Sequence, residues 1–105
     1  MYVVLSSGHV HRFFQLLQNR NFKAAKIILS RIQSRLKRDE WERGYFVALS
    51  GMLLGLESGD RRLFINNLAD RQQHREEFLK HSQSRMHGEY DRGFFAAWAD
   101  FCRER

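Results

Sequence analysis

At 105 residues, with 43% hydrophobic and 29% charged side chains, the chain has room for one compact domain and none for a catalytic domain with a lid. It contains no proline and a single cysteine, Cys102, which favours helices joined by short polar turns and excludes an internal disulfide. The net charge is +6, and residues 1–38 carry eight basic residues and no acid, against ten basic and twelve acidic in residues 39–105.

The opening residues 1–12 lack the basic and long apolar regions of a signal peptide, so a cytoplasmic setting is expected. Period-two alternation is confined to Tyr2–Leu5; elsewhere the spacing is helical. Ser7 can cap a first helix over 8–19, with Val10, Phe13, Phe14 and Leu17 on one side. Asn21 can cap a second over 22–37, where Ala25, Ile28, Leu29, Ile32 and Leu36 share a face. Asp39 caps a third running to Ser58, stopped by Gly59. Asp60 opens a fourth with Leu63, Phe64, Ile65 and Leu68. A fifth, mostly polar, spans Asp70 to His87 with Phe78, Leu79 and Met86. After Gly88 a sixth carries Phe94, Phe95, Trp98 and Phe101. The longest apolar run, Phe46 to Leu56, is too short to span a bilayer, so no membrane partner is expected.

One segment occurs twice. Residues 32–49, IQSRLKRDEWERGYFVAL, match residues 82–98, SQSRMHGEYDRGFFAAW, at eleven positions with one residue dropped near Arg38. Among the pairs are Gln33/Gln83, Arg35/Arg85, Glu40/Glu89, Trp41/Tyr90, Arg43/Arg92 and Gly44/Gly93. A period near 50 predicts an all-α single domain, 1–105, of two three-helix units, about 8–58 and 60–105, with the third helix central.

Within the repeat, Arg43 and Arg92 could read phosphate beside Trp41 and Tyr90. The architectural alternative is better supported: Glu40–Arg43 and Glu89–Arg92 are i,i+3 ion pairs at helix starts, and the aromatics seal the core. Gly44, Ala48, Gly51 and Gly55 fall at i, i+4, i+7 and i+11. That spacing predicts one smooth stripe where a partner helix, or a second copy in a homodimer, packs closely.

The chemistry-bearing candidates are the cations of the second helix: Lys23, Lys26, Arg31, Arg35, Lys37 and Arg38. They lie opposite or beside the apolar face, with Ser30, Ser34 and an unexplained Ile27. A solvated helix surface normally mixes both signs; this one has no acid, and such a face attracts polyanions. No aromatics interleave with it, so phosphate contact is favoured over base reading. Metal binding is not expected, since His74 and His81 are roughly 10 Å apart along a helix and only one Cys exists. No cofactor is implied. No nucleophile elbow, phosphate loop or HExxH occurs, and Glu76 and Glu77 point to different sides of a helix, so no enzyme is expected. The resulting expectation is a non-enzymatic module whose basic face docks on nucleic acid, RNA slightly favoured over DNA. The alternative is a protein-interaction subunit in which that face meets an acidic partner.

Overall fold

Two of the helices begin where a side chain satisfies a free backbone amide. The computed structural model describes residues 7–36, 39–63, 65 and 71–103. Within them run five helices: α1 (Ser7–Gln18), α2 (Phe22–Ser34), α3 (Glu40–Ser58), α4 (Arg71–Gln83) and α5 (Glu89–Arg103). The chain is all-helical, with no strand among the described residues. Asn21 caps α2 by accepting from Ala24 N–H at 3.3 Å, and Asp39 caps α3 by accepting from Glu42 N–H at 3.1 Å. Gly59, at φ 66°, closes α3 in the left-handed region that an L side chain enters at a cost.

Three predicted boundaries move, each because a local hydrogen bond competes with the helix. α2 ends at Ser34 rather than residue 37, since Arg35 N–H turns back to Ile32 C=O at 3.1 Å. Where the expected fourth helix should open, residues 60–63 form a turn, and Ile65 beyond it is 3-10 helical. Asp60 accepts from the backbone N–H of Arg62 at 2.9 Å and from its guanidinium, which holds the Asp60 carboxyl below its ordinary pKa. The expected fifth helix corresponds to α4 but stops at Gln83, where Ser84 N–H donates to His81 C=O at 3.2 Å. Among the described residues there are five α-helices where the sequence predicts six. Lys37, Arg38, Phe64, Leu68, Asp70 and the strand-like Tyr2–Leu5 lie outside the described residues.

The core forms where the apolar faces of α1, α2, α3 and α5 converge. Phe13, Phe14 and Leu17 of α1 meet Ala25 and Ile32 of α2, Leu49 and Met52 of α3, and Phe101 of α5. Phe14 and Phe101 pack edge to face with centroids 5.6 Å apart, an arrangement their ring quadrupoles favour. Each fully buried Phe or Leu stabilises the fold by about 1.5–3 kcal/mol. α3 is the most enclosed helix, flanked by α2 and α5. α4 packs on α5 from outside and has no buried residue.

The two matched segments meet face to face. A Cβ placed on Gly44 would fall within the Tyr90 carbonyl, 2.8 Å from its carbon, and one on Gly93 would fall within the Trp41 carbonyl, 2.7 Å from its carbon. Gly44 matches Gly93 and Trp41 matches Tyr90, so the contact is reciprocal. Only glycine permits backbones that close. Both expected ion pairs are present, Arg43–Glu40 at 3.4 Å and Arg92–Glu89 at 3.1 Å.

Candidate nucleic-acid interface

α2 turns its apolar face inward through Ala25 and Ile32, which leaves the opposite side to solvent. Lys23, Lys26, Arg31 and Arg35 are all exposed. Lys23, Ile27, Arg31 and Arg35 follow at i, i+4, i+8 and i+12, so they form one ridge along the helix. Ile27 sits inside that ridge with 52% of its surface exposed. Ser30 and Ser34 flank it, and the Ser34 hydroxyl is tied to Arg31 C=O at 2.8 Å. Arg31 also stands in the last turn, where a cation suits the helix dipole.

One of the six predicted cations is already engaged. Lys26 Nζ lies 2.8 Å from Glu57 of α3, an exposed pair worth about 0–1 kcal/mol. Lys23, Arg31 and Arg35 make no ion pair with a described acid. Lys37 and Arg38 are outside the described residues. The structure adds Arg20, which helical periodicity could not assign because it lies in the turn before α2. Its backbone closes α1: Arg20 N–H donates to Leu17 C=O at 3.1 Å and Asn21 N–H to Leu16 C=O at 2.9 Å. Arg20 therefore sits at φ 57° with an exposed side chain.

The small-residue stripe is not one seam. Gly44 meets α5 and Ala48 is buried, whereas a Cβ on Gly55 would lie 2.8 Å from Ile65 Cγ2. Gly51 has nothing within 4 Å of where a Cβ would stand, and it is exposed beside Val47 and Leu54, which are 43% and 67% exposed. The expectation that Gly51 packs on a neighbouring helix is thus corrected. Helices that cross at an angle keep backbone contact only around the crossing.

The two aromatics of the repeat differ: Trp41 packs against the core as expected, whereas Tyr90 is exposed. Trp41 is half-buried and stacks on Tyr45 at 5.2 Å, and the Tyr45 hydroxyl donates to Asp100 at 2.7 Å. Burial pushes the Cys102 thiol above its ordinary pKa, although Arg71 works the other way, so the group is poorly suited to nucleophilic chemistry.

Among the described residues no three potential metal ligands come together. The histidines nonetheless pair differently from the sequence spacing. His74 stacks on Phe78, while His81 meets His87, with Nδ1 and Nε2 3.1 Å apart. The chain leaves helical geometry at Ser84 and doubles back, which no helical wheel anticipates.

No helix of the described residues is long and apolar enough to cross a membrane. Compared with protein-family models, curated proteins and solved structures, the chain matches none.

Proposed function

We propose that the chain is a non-enzymatic, cytoplasmic binding module whose α2 face docks on nucleic acid, RNA slightly favoured over DNA. The observation that carries this reading is the outward ridge of α2, where Lys23, Arg31 and Arg35 are exposed and free of described acids. Such a ridge neutralises phosphates, and phosphate contact gives affinity without base identity. Arg predominates over Lys, fourteen to four, and its fork suits phosphate oxygens. The Lys26–Glu57 pair trims the field at one edge, and its exposure leaves it open to competition from a phosphate.

A second reading rests on a different surface. Val47, Gly51 and Leu54 form an exposed row on α3, and Ile27 interrupts the basic ridge, features of a subunit that meets a protein partner or a second copy. The two readings separate by salt. Binding to unrelated RNA and DNA should weaken steeply with salt if phosphates are the target, and a protein-interaction subunit should show little of it at physiological salt.

The test is a gel-shift series with the parent and a Lys23→Glu, Arg31→Glu, Arg35→Glu triple variant. We expect weaker binding across unrelated sequences and a salt slope shallower by about 0.7–0.9 for each phosphate that is no longer neutralised. The circular dichroism spectrum should not change, because these positions lie off the apolar face. A parent protein that binds no nucleic acid at low salt sinks the proposal in favour of the second reading.

The proposal extends to ancestry: the domain arose by duplication of a three-helix unit. The reciprocal Gly44–Tyr90 and Gly93–Trp41 contacts and the twin Glu–Arg pairs support it. The described part of the second unit holds two helices, α4 and α5.

A further inference from the structure

What holds the end of α4 against α5 is a stack of rings. His81, near the last residue of α4, lies over Phe95 with centroids 4.7 Å apart, and His87, beyond the turn, lies against the same ring at 5.3 Å. The turn between them is closed by Ser84 N–H to His81 C=O at 3.2 Å and by His87 N–H to Ser84 C=O at 3.3 Å. Backbone and Phe95 together set the two imidazoles side by side, with His81 Nδ1 3.1 Å from His87 Nε2. Ring nitrogens that close are bridged either by a proton, one ring's N–H donating to the other's lone pair, or by a metal ion that both lone pairs face.

We propose that His81 and His87 are a two-histidine chelate for a borderline divalent cation such as Zn²⁺. A cation held at about 2.0–2.1 Å from each nitrogen spans roughly 2.9–3.4 Å between them at bond angles from square to tetrahedral, and the observed separation lies in that interval. Phe95 fixes both rings, so little side-chain freedom is lost on binding. His81 is exposed, which leaves the remaining coordination positions to water.

The nearest cation on α5 is directed elsewhere. Arg92 Nε donates to Ser84 C=O at 2.9 Å, and its other arm pairs with Glu89 at 3.1 Å. With no third ligand among the described residues, the site is an open, exchangeable one rather than a closed structural centre. Bound metal would pin the end of α4 to the turn that leads into α5.

The experiment is calorimetric titration of Zn²⁺ into the full chain in a non-coordinating buffer, with histidine ring signals followed by NMR. We expect the His81 and His87 signals to shift together while that of His74 stays, and the melting temperature to rise with Zn²⁺. His81→Gln and His87→Gln should each weaken binding by about 10-fold or more, since even outer-shell partners are worth that much. His74→Gln should bind as the parent does, and circular dichroism checks that each variant keeps its helices. Zn²⁺ that leaves both parent signals in place overturns the proposal, as does affinity unchanged in both variants. Rings that titrate with acid but take up no Zn²⁺ identify a proton-sharing pair, which also overturns it.

Discussion

Arg20 is the residue whose backbone and side chain disagree most. It occupies the left-handed position that ends α1, where a Cβ costs about 1–2 kcal/mol and glycine is the usual occupant. Arg20→Gly should therefore stabilise the fold by up to about 1 kcal/mol, read as a raised midpoint in urea unfolding, while removing one exposed cation beside α2. A variant no more stable than the parent would show that the arginine side chain repays the backbone cost. Glu42 illustrates the limit of residue-level reading from sequence. Its carboxylate at the start of α3 is legible as a helix-dipole partner, and its match to Asp91 is visible in the repeat. Its burial is not: Glu42 is 0% exposed and Asp91 is exposed, because the two first turns have different neighbours.

Among the elements, α3 sorts its glycines by what stands opposite each. Gly44 and Gly93 admit no side chain, because the atoms in the way are backbone carbonyls that cannot rotate aside. Gly44→Ala and Gly93→Ala should each destabilise by about 1–3 kcal/mol from overpacking. Gly51 faces open space, so Gly51→Ala should gain about 0.8–1 kcal/mol of helix propensity. Thermal melts of the three variants test the assignment, and equal shifts at all three positions would contradict it. Spacing alone put Gly44 and Gly51 on one face, which is a statement about a single helix. Which of them meets a neighbour depends on where α5 crosses, and that is set by the packing of both helices.

For the whole molecule, the apolar residues are unevenly shared. α3 contributes eight buried residues, all but Glu42 uncharged, and α4, packed on α5, contributes none. Local opening follows buried contact, so α4 should exchange its amides well before α3 does. Hydrogen exchange comparing residues 71–83 with 45–55 checks this, and equal protection would show that α4 opens only with the whole fold. The all-helical class, the caps at Asn21 and Asp39, the stop at Gly59 and the inward face of α2 are all legible in the sequence. Each depends on residues within a turn or two of one another. Other features came from contacts between distant parts of the chain or from turns that periodicity does not describe. A turn at Asp60 took the place of a predicted helix start, Glu57 claimed Lys26 from 31 residues away, and Gly44 and Gly93 met each other's helices. His81 found His87 rather than His74 because the chain reverses at Ser84. Local periodicity reports which way a side chain points from its own helix; what it meets there depends on how the other helices fill the space.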